Sequence, residues 1–216
     1  MKATLSKLDC NAAPSKRLAA RREAFMAAGS EVFQEKGFAN ATLDDVIGRS
    51  GGSRQTLYAL FGGKQGLFEA IVADSCETIF HGLALDDLAS KPPEEALVEV
   101  GIRYLTVVIS PECLNLHRLV IAETPRIPGM AQLFWQSGPA RSRAFLAEFF
   151  ERQIARGLLQ MPDSHVAADQ FLAMLSGDVR LQCLLGLRKP PTESEVGEIV
   201  KAAVRRFLHG CLTGKP

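Results

Sequence analysis

The sequence lacks the residue patterns on which disulfide-rich, metal-binding and catalytic proteins depend. Its five cysteines are odd in number, widely spaced and never in a C-x-x-C pair, which argues against a disulfide framework and a zinc site. The four histidines are equally scattered. No G-x-S-x-G, Walker, dinucleotide or H-E-x-x-H motif occurs. We therefore expect a protein that is not an enzyme and that uses no metal or cofactor.

Long hydrophobic runs are also missing. The most apolar stretches, such as residues 105–109, end well short of the roughly 20 residues that a membrane-spanning helix needs. The basic start of the chain is not followed by the apolar segment of a secretory signal. Hydrophobic residues still make up 47% of the 216 residues, which suits a globular protein with a substantial core. We expect a cytoplasmic protein with no membrane partner.

The net charge is only +1, but the charges are unevenly distributed. Through Lys64 the chain has ten basic and six acidic residues, which is an excess of four positive charges. The remainder of the chain is therefore slightly acidic. This asymmetry predicts that the N-terminal part of the molecule meets a polyanion.

The N-terminal part has the pattern of a helix-turn-helix. Residues 21–36 are spaced as an amphipathic helix that ends before Gly37. Thr42 is a suitable N-cap for a second helix, with Asp45 at the capping-box position. Ser53 can cap a third, short helix that ends at the glycine pair 62–63. Two short helices joined by a glycine turn form a helix-turn-helix.

The rest of the chain is also predicted to be helical. A fourth helix begins at Lys64, and the helices beyond it are separated by proline or glycine, with no strand pattern. Residues 171–187 are apolar nearly all round, and residues 196–211 have one broad apolar face. These two helices could be internal core only, or they could form half of a dimeric four-helix bundle. We favour a homodimer, because a helix-turn-helix usually reads two half-sites.

The predicted fold class is therefore all-α, with an N-terminal three-helix helix-turn-helix module and a C-terminal helical domain. We expect three segments: a flexible basic segment over residues 1–17, the helix-turn-helix DNA-binding domain over 18–66 and a larger helical domain over 67–216.

The second helix of a helix-turn-helix places its N-terminal residues against base edges in the major groove. Arginine suits guanine and glutamine suits adenine, and hydroxyls and ammonium groups suit phosphate oxygens. Alternatively, the threonine is only a cap and the tyrosine only a core residue. The candidate DNA-binding residues are Arg54, Gln55 and Thr56 for bases, and Thr42, Tyr58 and Lys64 for phosphates.

Residues 21–71 resemble the TetR family of repressors. The resemblance lies in residues 33–38 (FQEKGF), 42–46 (TLDDV) and 56–68 (TLYALFGGKQGLF), and it implies the same base-reading and phosphate-binding residues. This sequence departs from the family pattern at Gly52, Leu60 and Gly63. Segments between residues 117 and 187 look like the regulatory domain of the AefR-like branch. The resemblance implies a homodimer, and it implies that residues 67–216 are a ligand-binding (effector-binding) and dimerisation domain with an inducer pocket.

The candidates for that pocket are aromatic and polar residues. Aromatic side chains at helical spacing are also common in cores, and Asp178 could instead pair with an arginine such as Arg180. Cys76 or Cys113 could act as a redox sensor, although lone cysteines are usually inert. The ligand-binding candidates are Phe80, Tyr104, His117, Phe134, Trp135 and Asp178.

The sequence thus predicts a repressor that binds a palindromic double-stranded operator and is released by a small-molecule effector. The mechanism expected is a shift of the fourth helix that changes the spacing of two DNA-reading heads. The alternative is a DNA-bound structural or cell-division factor on the same fold, without an inducer.

Overall fold

The computed structural model describes residues 16–77 and 84–210, without the side chains of residues 75–77. Within these ranges all regular elements are helices, and no strand occurs, which confirms the predicted all-α class. The helices are α1 (Lys16–Asn40), α2 (Leu43–Ser50), α3 (Arg54–Phe61), α4 (Lys64–Glu77), α5 (Leu85–Ser90), α6 (Pro93–Val108), α7 (Pro111–Glu123), α8 (Met130–Ser137), α9 (Pro139–Ala155), α10 (Ser164–Leu184) and α11 (Glu193–His209).

The chain forms two compact units, one ending at Ile71 and the other beginning at Val72. The division falls inside α4, so this helix begins in the first unit and ends in the second. None of the described helices combines the length and apolar character needed to cross a membrane.

The helix ends of the first unit follow the capping pattern expected from the sequence. The backbone leaves helical geometry at Gly37, with φ 74° and ψ 162°, so α1 is broken there. Thr42 and Asp45 form a reciprocal capping box at the start of α2. The Ser53 side chain caps α3, and Gly62 ends α3 in the left-handed conformation. These caps fix the two short helices of the helix-turn-helix without need of a large core.

A small aromatic core holds the first unit together. Phe25, Phe33 and Phe68 are fully or almost fully buried, and the Phe33 and Phe68 rings meet edge to face with centroids 5.7 Å apart. Val46 of α2 and Leu57 of α3 are both fully buried. Each short helix therefore contributes one fully buried side chain, and this fixes which of its faces points outward.

Charged side chains also join α1 to α2. Arg49 donates to both carboxylate oxygens of Glu35, and its hydrogen bonds lower the pKa of Glu35. At the same end of α2, the backbone carbonyl of Ser50 accepts a hydrogen bond of 3.1 Å from Arg21 Nη1. Exposed ion pairs of this kind add little to the free energy of unfolding, so their main effect is to orient α2 on α1.

The core of the second unit lies between α6, α9, α10 and α11. Its largest buried side chains include Phe149, Phe150 and Phe171. The apolar stripe of α11 packs against α6, with Val200 fully buried. This face of α11 is therefore occupied within the chain itself, as the internal-core alternative expected.

Candidate nucleic-acid interface and effector pocket

The first turn of α3 presents the predicted base-reading residues. Arg54 and Gln55 are exposed, whereas Thr56 is half-buried. Ser53 Oγ accepts a hydrogen bond of 3.0 Å from Thr56 N and lies 2.8 Å from Thr56 Oγ1. Because Leu57 is fully buried, the face of α3 opposite it is the one that can meet a partner.

Arg54 is held by a carboxylate of the preceding helix. Its Nη2 atom donates to Asp44 Oδ1 and Oδ2, at 2.6 Å each, and both side chains are exposed. The hydrogen bond to Asp44 raises the pKa of Arg54 above its ordinary value. A guanidinium held in this way still has other N–H groups to donate to a base or a phosphate.

Thr42 caps α2, which is one of the two roles expected of it, the other being a phosphate contact. Its Oγ1 accepts from Asp45 N at 3.2 Å and donates to Asp45 Oδ2 at 2.8 Å. The Asp45 carboxylate also accepts a hydrogen bond from Lys36 Nζ at 2.7 Å. Lys36 and Thr42 together lower the pKa of Asp45 to about 2. The residue is exposed, so a second contact with phosphate is sterically open to it.

Tyr58 is not a core residue. Its side chain is 51% exposed, and its hydroxyl has no hydrogen-bond partner among the described residues. Tyr58 is therefore available for phosphate, as the first of its two expected roles requires.

Lys64 has acceptors within the protein itself. Its ammonium donates to the backbone carbonyls of Phe38 at 2.7 Å, Ala39 at 3.2 Å and Ala41 at 2.9 Å. It also lies 4.6 Å from the centre of the Phe38 ring. An ammonium has three protons, so the turn between α1 and α2 uses all of them. The structure thus gives Lys64 a structural role, and a phosphate contact would require it to share these protons.

Two glycines in this unit are fixed by close approach. Gly52 has φ +97°, and a Cβ added to it would lie 2.9 Å from Phe25 Cζ. The Phe25 ring thus fills the space that an aliphatic side chain at position 52 would need. At Gly66 an added Cβ would lie 1.8 Å from the Phe61 carbonyl oxygen. Contacts with backbone are not easily relieved, so Gly66 is required sterically rather than for flexibility.

Three of the six ligand-binding candidates surround one small pocket in the second unit. Tyr104 of α6, His117 of α7 and Phe134 of α8 all line it, and the His117 and Phe134 rings meet edge to face at 4.8 Å. Its free space is about 30 Å³, which holds roughly one or two water molecules.

His117 is buried and uses both ring nitrogens. Nδ1 lies 2.9 Å from the Cys113 carbonyl oxygen, a bond in which the nitrogen must donate. Nε2 lies 3.5 Å from Arg180 Nη1 and can then accept. Burial lowers the pKa of His117, and the nearby charge of Arg180 lowers it further, while the bond to Cys113 raises it. The imidazole is therefore neutral at pH 7.

The other three candidates do not line this pocket. Phe80 lies outside the described residues. Trp135 is 46% exposed and lies under the Arg143 guanidinium, 4.5 Å from its ring centre. It follows Phe134 directly, so it points about 100° away around α8. Asp178 is exposed and accepts a hydrogen bond of 2.6 Å from Gln182 Nε2.

Sequence reasoning did not select Arg180 or Ser142, which also line the pocket. Arg180 follows the buried residues Leu172 and Ser176 at four-residue spacing, which places it on the inner face of α10. That spacing was the available signal. Of the two cysteines considered as redox sensors, Cys113 lines the pocket with Sγ 3.6 Å from His117 Nδ1, and the side chain of Cys76 lies outside the described part.

The comparisons with known families agree with this arrangement. Residues 25–71 match the family described as bacterial regulatory proteins, tetR family. Residues 95–210, more than half of the chain, match the AefR-like transcriptional repressor C-terminal domain. The chain belongs to the TetR family of transcriptional regulators. A TetR-family regulator is a DNA-binding protein rather than an enzyme, and the two matched segments lie in the two units.

Solved structures share the fold of this TetR-family chain over most of its length. A TetR-family regulator of Mesorhizobium loti is 25% identical, with 90% of this chain and 98% of that chain covered and a TM-score of 0.74. The flavonoid-responsive regulator FrrA is 30% identical, with 89% of this chain and 97% of that chain covered and a TM-score of 0.73. A TetR-family regulator of Syntrophomonas wolfei is 20% identical, with 91% of this chain and 99% of that chain covered and a TM-score of 0.74. At this identity the likeness shows the fold alone. No curated protein matches the chain.

Proposed function

We propose that this regulator is a cytoplasmic repressor that binds a palindromic DNA operator as a homodimer and is released by a small-molecule effector. The observation that carries the DNA-binding part is the exposure of Arg54 and Gln55 in the first turn of α3. These side chains are the ones that distinguish guanine and adenine in the major groove. Tyr58, with its free hydroxyl, suits an adjacent phosphate.

The outer face of α10 supports a homodimer. Met174, Leu181 and Leu185 are 39%, 53% and 64% exposed, and they share one side of the helix. Gly177 lies on the same side and has open space above it. Exposed Asp178 interrupts this apolar set on the same side, and an exposed group of large apolar side chains with a polar residue among them fits a self-complementary interface. A dimer would place two α3 helices at half-sites about 34 to 36 Å apart.

The effector-binding part is supported by the pocket around His117. A drug-sized ligand occupies roughly 300 Å³ or more, whereas the free space is about 30 Å³. Binding must therefore move a wall, and Phe134 on the short helix α8 is the aromatic side chain packed over His117. A ligand that binds only the opened form shifts the equilibrium toward that form. FrrA, described as flavonoid-responsive, is a relative that responds to a small molecule.

The experiment that tests the DNA-binding part is the selection of bound fragments from the source genome, followed by titration of the selected duplex. Arg54→Ala is expected to cost about 1 to 3 kcal/mol on that duplex and to relax one base position. Lys189→Ala, which removes an equal charge from an exposed site beyond α10, is the matched control. Equal loss by Arg54→Ala on every sequence would show that Arg54 contacts phosphate only. If no duplex sequence were selected, the proposal would be refuted.

The alternative is a structural DNA-binding factor without an effector. It is distinguished by screening for small molecules that release the selected operator. Release by a compound that stabilises the protein supports the repressor, and a protein that binds no compound supports the structural factor.

A further inference from the structure

Arg180 is a charged residue at the pocket without an acidic partner. It lines the pocket, is half-buried, and its Nη1 atom faces His117 Nε2 at 3.5 Å. Among the described residues, no aspartate or glutamate lies within ion-pair distance of it. The nearest acid along α10, Asp178, is exposed and bonded to Gln182. Its neighbour in the pocket is thus a neutral imidazole, which cannot balance its charge.

A second polar group at the same pocket has no partner. Tyr104 is only 8% exposed, yet its hydroxyl forms no hydrogen bond with a described residue. The Tyr104 oxygen is not one of the fully buried side-chain atoms that lack a partner, so it is open to water or to a ligand. By contrast, Ser142, which also lines the pocket, donates to the Gly138 carbonyl at 3.2 Å. Tyr104 therefore has a hydroxyl donor to offer at this site, and Arg180 has N–H donors beyond the one that faces His117.

The remaining walls are mostly apolar. Val108, Leu116 and Phe134 line the pocket, and the edge-to-face pair of Phe134 with His117 leaves aromatic surface toward its interior. Apolar walls with a few polar groups are typical of small-molecule sites. These walls favour a ligand whose body is apolar.

We propose that the effector is an apolar molecule carrying one carboxylate, which Arg180 binds through its guanidinium and Tyr104 binds through its hydroxyl. This inference rests on the proposed effector-binding function and names the chemical class that the pocket takes. Arginine matches a carboxylate with two parallel hydrogen bonds, and charge-assisted bonds are about twice as strong as neutral ones. The apolar body displaces Phe134 and packs against the walls.

Aromatic acids and fatty acids share this chemistry, and paired probes distinguish them. Binding of trans-cinnamate and of octanoate to the full-length protein is measured by calorimetry, each beside its uncharged amide, cinnamamide or octanamide. At least one acid is expected to bind about ten-fold or more tightly than its amide, the size of effect that a charge-assisted hydrogen bond provides. Whichever acid shows the difference identifies the kind of body that the pocket accepts.

The variants assign the effect to Arg180. Arg180→Met keeps the apolar stem and is expected to reduce acid binding to the level of the amide. Arg180→Lys retains the charge and should recover part of the acid binding. Tyr104→Phe should weaken acid binding severalfold. Arg188→Met, in the segment beyond α10, is the control and should bind like the parent protein. Thermal unfolding of each variant shows that it is folded.

Three outcomes would overturn the inference: amides that bind as well as acids, an Arg180→Met protein that keeps the preference, or no binding of either acid. Operator release is measured separately with labelled DNA. An acid that binds through Arg180 but leaves the operator bound supports the inference and refutes effector release. If no acid binds but a neutral compound releases the operator, effector release is supported and the carboxylate inference is refuted.

Discussion

Asp44 holds Arg54 through both carboxylate oxygens, each 2.6 Å from Arg54 Nη2. The side chain best suited to read guanine is thus paired, in the free protein, with an acidic group on the neighbouring helix. A negative charge here also repels the DNA backbone. We therefore expect Asp44 both to limit DNA binding and to orient the arginine.

We expect Asp44→Asn to raise affinity for all duplexes severalfold, because it removes one negative charge from the DNA-facing surface. The gain should be larger on unrelated sequences than on the selected operator, since Arg54 is less constrained. Fluorescence anisotropy over a range of salt concentrations measures both. Glu94→Gln, an equal charge change at an exposed residue of α6, should change neither. Weaker binding by Asp44→Asn would show that the pair is needed to position Arg54.

Lys64→Met is expected to lower the thermal stability of the protein, because three carbonyls in the last turn of α1 and the turn after it lose their donor. The slope of log affinity against log salt should stay unchanged, since the ammonium is already engaged. Tyr58→Phe is the contrasting variant, with weaker DNA binding and unaltered stability. If Lys64→Met instead reduced the salt slope by about one at unchanged stability, Lys64 would be a phosphate contact.

Because the pKa of Asp45 is lowered in the folded protein, we expect the contribution of this carboxylate to stability to depend on pH. Its pKa is lowered to about 2 in the folded protein from an ordinary 3.8, so its contribution is fully present above pH 3.8 and is lost as the pH falls toward 2. We expect Asp45→Asn to have a lower melting temperature than the parent protein at pH 6. The difference should shrink by pH 3. A difference that is constant over this range would mean that the charge plays no part.

The close approach at Gly66 predicts opposite effects for two glycine-to-alanine changes. Gly66→Ala should destabilise the protein because its Cβ would overlap the Phe61 carbonyl. Gly48→Ala, inside α2 with open space around it, should stabilise by roughly 0.5 to 1 kcal/mol through helix propensity. Denaturant unfolding of both variants tests the pair. Equal stabilisation by the two changes would contradict the steric account.

Leu181 provides the test of the homodimer. Leu181→Glu should convert a dimer to a monomer in sedimentation experiments and weaken operator binding, because a charge would enter the proposed apolar interface. Ile121→Glu replaces a residue of α7 that is even more exposed, at 65%, and should leave the dimer intact. A Leu181→Glu protein that remains dimeric would place the interface elsewhere.

Much of the first unit could be predicted from the sequence because its structure is set by local chemistry. The Thr42–Asp45 capping box, the Ser53 cap and the left-handed Gly62 depend on residues three or four positions apart. Such neighbours interact in any helix that forms. The all-α class follows from the same periodicity, and the exposure of Gln55 follows from its place opposite the buried Leu57 on α3.

Tertiary structure decided what depends on distant residues. The bonds of Lys64 to carbonyls more than 20 positions away, and the placement of Arg180 beside His117, 63 positions away, have no local signature. The same holds for the fit of Phe25 against Gly52. The sequence by itself determined the helices, their caps and the exposed residues of α3 that we propose to face DNA. Only the packing of helices on one another decided which charges are satisfied internally and which are not.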